Sequence, residues 1–167
     1  MAAGIRVDGS RRPRSSLSLV QPSRRSTRSG RARGVAVADG VAIATRLLEL
    51  WNGGERERLE EVISPDFQLD GPFSGVSGEP YRGRAGFRRW LADIEEQFER
   101  WEIHAESREV SAGCVLVSGH VHVRGRGSGV ELDQPAAALV ELRDDRVQRL
   151  RIFTSEAEAL AAASAAG

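Results

Sequence analysis

The sequence predicts an α+β domain, a curved antiparallel sheet with helices packed in its concave face. Three observations predict it. Apolar residues recur at helical spacing in two stretches, Val41, Ala44, Leu47, Leu48, Trp51 and then Phe87, Trp90, Leu91, Ile94, Phe98. From about residue 101 to residue 153 the pattern changes to strand-like segments separated by turn residues. The order is helix, helix, strand, helix and then a run of strands, which suits hairpin-connected antiparallel pairing beside a helical layer.

The first helix has Arg46 and Glu49 off its apolar stripe, Asp39 as its expected N-cap and Asn52-Gly53-Gly54 as its stop. Glu55 to Ile63 reads as a shorter helix with Leu59, Val62 and Ile63 on one side, broken by Ser64-Pro65-Asp66. Phe67-Gln68-Leu69-Asp70 alternates as a strand and ends at Gly71-Pro72. A Gly/Ser/Pro-rich loop leads to Arg84, and a helix follows over about Ala85 to Arg100 with a charged solvated face. Strands are expected near 101–110, 114–124, 130–143 and 147–153, with a bend at Pro135 and a tight turn at Asp144-Asp145. Residues 156–164 read as a short alanine-rich terminal helix.

The chain has 167 residues, 40% hydrophobic and 29% charged, the size of one domain plus an extension. Such a domain buries enough surface to need no disulfide or metal staple. One cysteine, Cys114, and three histidines exclude an intramolecular disulfide and a Cys/His zinc framework. No apolar run approaches the roughly 20 residues of a membrane helix, so no membrane partner and a cytoplasmic location are expected.

The zero net charge conceals an asymmetry. All 24 basic residues are arginines; nine of them lie in the first 34 residues against a single acid, Asp8, giving +8 there and −8 over the rest. Residues 1–37 are expected to be a disordered Arg/Ser-rich leader, because they hold too few large apolar groups to offset ordering entropy. Residues 38–167 form the domain. Three readings compete for the leader: an overextended reading frame with the true start at Val35, Val37 or Val41, an organellar transit peptide, or a nucleic-acid-binding arm. The −8 charge of the domain argues against its joining the last of these.

The stretches LLELWNGGERERLEEVISPDFQLDGP, YRGRAGFRRWL, VRGRGSGVELD and LRDDRVQRLRIFTSEAEALAAA resemble the nuclear transport factor 2-like superfamily. More narrowly they resemble its SnoaL-like branch, which holds polyketide cyclases and ketosteroid isomerase relatives. The resemblance covers about residues 38–163. It implies a cone-shaped sheet around a mostly apolar pocket, a homodimer through the sheet's outer face, and no metal or organic cofactor. Its motifs identify the scaffold well and the chemistry poorly.

The isomerase branch implies a carboxylate base near the end of the first strand and two neutral donors for the enolate oxygen. Asp70 lies in the region of the base, one residue from the best register. The tyrosine position falls on Leu47 and the acid position on Ala138, and neither side chain donates a hydrogen bond. Steroid-type isomerisation is therefore not supported. An epoxide-hydrolase-like Asp-Arg-Asp set lacks its second aspartate, with Asp133 the only loose candidate.

In the resemblance's register Val147, Arg149, Arg151 and Phe153 face inward; the opposite register puts both arginines on a charged outer face. Val115, Val117, Val121 and Val123 are expected to face the helices, leaving Ser118, His120, His122 and Arg124 outside. Trp51 and Trp90 are core residues or pocket lining. Tyr81 has a hydroxyl to offer at the pocket mouth. Asp70 is either a base or a turn residue holding Gly71-Pro72. The Gly125-Arg126-Gly127-Ser128-Gly129 stretch joins strand to strand, so it is a hairpin tip and not a phosphate loop.

Two functions follow. One is a site for a small hydrophobic, carbonyl-bearing ligand, anionic if the arginines face it. There, Asp70 would act as base and Arg149 or Arg151 as oxyanion partner in cofactor-free proton transfer of the isomerase or cyclase kind. Trp51, Tyr81, Trp90, Arg151 and Phe153 would contact the substrate. The other is a non-catalytic ligand-binding or dimerisation module.

Overall fold

The computed structural model describes residues 31–71 and 81–165, with side chains from residue 40 onward. Helix α1 runs Arg31–Asn52; a single 3-10 turn, Arg56–Arg58, leads into α2, Leu59–Val62. Strand β1 is Ile63–Asp70, β2 Tyr81–Arg82 and α3 Gly83–Gln97. Strands β3 (Phe98–Ser111), β4 (Cys114–Gly125), β5 (Glu131–Arg143) and β6 (Arg146–Phe153) follow, and α4, Glu156–Ala165, closes the order.

The six strands form one sheet in the order β2-β1-β6-β5-β4-β3. Neighbours are antiparallel, as expected, except that β1 lies parallel to β6. This pairing joins the first long strand to the last, so the helices between them must cross one face of the sheet.

Several expected boundaries shift. Asp39 is not an N-cap: α1 runs through it from Arg31, so residues 31–37 are helical, while residues 1–30 of the expected leader lie outside the described residues. Ser64-Pro65-Asp66 does not separate helix from strand but sits inside β1, where the register against β6 shifts between Ile63 and Gln68. Proline is tolerated at such an irregularity because no ladder N–H is required of it. The two-residue strand β2 had no sequence signal.

The C-terminal end of α1 is tied to the sheet by the Asn-Gly-Gly turn. Asn52 Nδ2 donates to Ile103 O at 2.7 Å and its Oδ1 accepts from Ile103 N at 2.9 Å, so the amide side chain satisfies the edge of β3 as a strand would. Gly54 takes φ +73, and Glu55 N returns to Leu50 O at 3.0 Å to satisfy the helix end.

The sheet separates two apolar cores. On the face covered by α1, α2 and α3, Leu50, Leu59, Ile63, Phe67, Phe87 and Val140 pack with Val115 and Val117. Val121 and Val123 are buried as well, so the valine parity of β4 holds as read from the sequence. On the opposite face α4 covers Cys114, Leu116, Ala137 and Leu139 with Ala159, Leu160 and Phe153. The expectation of helices in the concave face thus holds for three helices, while α4 lies behind the sheet. Burial pushes the Cys114 thiol up, with Glu141 adding to the effect.

The hairpin between β5 and β6 has the expected two-residue turn, with Asp144 at φ 51 and Asp145 at φ 57. Both values are those of a type I′ turn, whose second position favours glycine. Asp145→Gly should therefore raise stability by about 0.5 kcal/mol. Urea denaturation checks this, and a loss would mean that the Asp145 side chain holds the turn.

Candidate functional site: an apolar cavity under two helices

A cavity of about 100 Å³ lies between the sheet and the helices α1 and α3. Leu47, Leu48 and Trp51 of α1 and Phe87 and Trp90 of α3 face it from the helical side. Its floor contains Ala105, Gly119, Ala136 and Ala138 from three neighbouring strands. Ala105 and Ala136 are both register partners of Gly119, so this row of the floor has at most a methyl group per residue. The cavity exists because that row leaves the space under the helices unfilled.

Gly119 also meets a local constraint. A Cβ there would stand 2.6 Å from the Ala105 Cα, too close for any side chain. The sequence carries this feature as a glycine inside the run Val115, Val117, Val121, Val123, which is a detectable signal for a gap in the core.

Aromatic rings form one wall. Trp51 and Trp90 have centroids 5.3 Å apart, and Phe87 lies 5.7 Å from Trp90. Phe67 meets Phe87 edge-on at 5.4 Å. Trp51 Nε1 donates to the Trp101 carbonyl at 3.2 Å. Trp90, only 6% exposed, has its Nε1 buried with no hydrogen-bond partner. An unmatched buried donor of this kind costs about 1–3 kcal/mol.

The other lining residues are apolar apart from His120. The His120 side chain is 61% exposed and its Nδ1 lies 2.9 Å from Asp133 Oδ1, so the imidazole belongs to the outer face. His104 is its direct cross-strand partner and His122 pairs with Glu102 in register. Among the described residues no group of three or more His, Cys, Asp or Glu is arranged to hold a metal ion.

The structure brings some of the expected site residues together and separates the rest. Trp51 and Trp90 line the cavity. Asp70 and Arg149 meet, with Arg149 Nε 2.6 Å from Asp70 Oδ2, but on the other side of the sheet. The Asp70 and Arg149 side chains are 44% and 41% exposed there. Leu69, not Asp70, enters the core from β1, and Asp70 pairs in register with Arg151.

The inward register of β6 is corrected in the same way. The strand pairing shifts between Glu141 and Leu142, leaving Gln148 without a register partner on β5. After Val147 the parity therefore changes, and Leu150 and Ile152 face the cavity instead. Arg151 Nε lies 2.8 Å from Glu141 Oε1 on the outer side, and Phe153 packs in the core under α4. Tyr81 does not stand at a pocket mouth. It is 2% exposed, donates to Asp93 Oδ2 at 2.5 Å, and carries the Arg89 guanidinium 5.0 Å above its ring. It fastens β2 to α3.

Leu47 and Ala138, the positions at which the isomerase resemblance calls for its tyrosine and its acid, both line the cavity. At both positions the cavity presents hydrocarbon and no side-chain donor.

The model of the SnoaL-like domain matches residues 44–150, more than half of the chain. The chain belongs to the SnoaL-like domain family. Solved structures of similar fold include a protein assigned as a SnoaL-like polyketide cyclase from Jannaschia sp. CCS1, 25% identical, with 79% of this chain and 95% of that chain covered and a TM-score of 0.61. TerC, co-crystallised with polyporic acid, is 17% identical with 72% and 94% covered and a TM-score of 0.62. A hypothetical protein with a ketosteroid isomerase-like fold from Catenulispora acidiphila DSM 44928, in complex with trimethylamine, is 18% identical with 71% and 89% covered and a TM-score of 0.59. No curated protein matches the sequence. Within this SnoaL-like domain no described helix is long and apolar enough to cross a membrane.

Proposed function

We propose that this SnoaL-like domain binds a small, uncharged, hydrophobic compound in the cavity under α1 and α3 and performs no acid–base chemistry on it. The observation that carries the reading is the lining: apolar side chains from the helices and the sheet, with His120, the one lining residue among those described that carries a titratable group, turned to the outer face. An anionic ligand would require a cation there, and Arg149 and Arg151 are engaged by Asp70 and Glu141 on the other side of the sheet. Proton transfer would require a base at the ligand, and Leu69 rather than Asp70 points into that core. Related folds solved with trimethylamine and with polyporic acid support small-molecule binding by the scaffold.

The size of the cavity sets the probe. About 100 Å³ is somewhat less than the roughly 150 Å³ that takes benzene in a dry engineered cavity. Cyclopentanone, titrated into the ¹⁵N-labelled full chain, should shift the amide resonances of Val117, Gly119 and Ala138 and the indole resonances. Asp70→Asn should bind it equally well. Shifts confined to the neighbourhood of Asp70 and Arg149, or loss of binding in Asp70→Asn, would overturn the reading in favour of a site on the outer face.

A further inference from the structure

The indole N–H of Trp90 is an unsatisfied buried donor at the cavity. The residue lines the cavity, is 6% exposed, and its Nε1 has no acceptor. Its neighbours offer none: Trp51 and Phe87 present rings at 5.3 and 5.7 Å, and Trp51 has committed its own N–H to the Trp101 carbonyl. Buried donors are nearly always matched, and one that is not matched by protein is matched by water or by a ligand. Nothing in an apolar pocket of this size would otherwise select one small hydrocarbon skeleton over another, because apolar contact discriminates weakly.

Building on the proposed apolar pocket, we propose that Trp90 is its specificity-determining residue and that the ligand carries one hydrogen-bond acceptor oxygen, a carbonyl or an ether on a single small ring, received by the indole N–H. The ring of the ligand lies against the aromatic wall and the alanine floor, and the oxygen is oriented by the unmatched Trp90 donor. A carboxylate is disfavoured because the lining holds no cation to neutralise it. Indole fits this task, since it donates, never accepts and stays uncharged at every physiological pH.

Cyclopentanone and methylenecyclopentane have the same skeleton and differ only in C=O against C=CH₂. In the wild-type chain the ketone should move one indole N–H resonance downfield, the one missing from Trp90→Phe, and the alkene should leave it in place. Trp90→Phe keeps an aromatic ring and removes the donor. Its ketone-to-alkene affinity ratio should fall about tenfold relative to wild type, with alkene binding nearly unchanged. An unaltered ratio, or a ketone that leaves the Trp90 indole resonance in place, overturns the assignment while the pocket stands. If neither compound binds the wild-type chain, pocket and assignment fall together. The resonance measurement needs no folded variant beyond the wild type once the Trp90 signal is assigned through its spatial proximity to the Phe87 ring.

Discussion

Ala138→Leu should abolish cyclopentanone binding, lowering affinity by about 100-fold or more, while the melting temperature stays level or rises. Ala138 lies on the floor of the cavity, paired in register with Val117 on one side and Ile152 on the other. Leucine adds three carbons to a space of about 100 Å³, which leaves no room for the ketone beside it. Filling an existing cavity commonly adds about 0.5–2 kcal/mol of stability, whereas the same change in a close-packed core costs about 1–3 kcal/mol. The sign of the stability change therefore reports whether the space exists, and the binding change reports whether the ligand uses it. Calorimetric titration and thermal melts of the one variant give both. Retained binding together with a melting temperature several degrees lower would place the probe elsewhere, for instance in the open groove beside Thr45, Glu49 and His104.

Much of the scaffold was legible because its elements follow simple periods. The α1 stripe, the α3 stripe as far as Ile94, the β4 valines and the Asp144-Asp145 hairpin each appear where local pattern puts them, whereas Phe98, expected to end the α3 stripe, begins β3. The functional register was not legible. Val147, Arg149, Arg151 and Phe153 look like one continuous face, and only the unpaired Gln148 shows that the face changes partway. A bulge of one residue has little composition signature, yet it exchanges every side chain after it across the sheet. The place of Asp70 was not legible for the same reason: a one-residue offset from Leu69 separates the core from the outer surface. Conversely, the floor could have been found. Gly119 interrupts an otherwise regular valine alternation, and Ala136 and Ala138 continue the gap on the next strand. Small residues at inward positions are a negative signal, easily passed over when the search is for groups that do chemistry.

Leu116→Ala should destabilise the domain by about 2–5 kcal/mol, a fall of roughly 5–15 °C in melting temperature for a chain of this size, yet leave cyclopentanone binding intact. Leu116 and its register partner Leu139 are both fully buried, on the sheet face away from the cavity. What covers them is α4, ten residues long, too short to be helical alone. The helix is held by Ala159, Leu160 and Phe153 closing over the two leucines, with its first turn fastened by the Arg108–Glu156 ion pair. That pair is about half exposed and so contributes little, which leaves hydrocarbon packing to hold the helix in place. Ending the chain at Thr154 tests this directly. If α4 supplies the cover, Leu116→Ala in the shortened chain should cost much less than in the full chain, because the leucine is already exposed to water. Equal costs in both backgrounds would mean that Leu116 is buried by the sheet itself. A loss of ligand binding in Leu116→Ala would mean that the two faces are coupled through β4, since Val117, one residue from Leu116, lines the cavity. The two apolar cores lie on opposite faces of the sheet, which argues for the first outcome in each case. The sheet can lose a side chain from behind without moving the floor, because the inward residues of β4 keep their own contacts with α1.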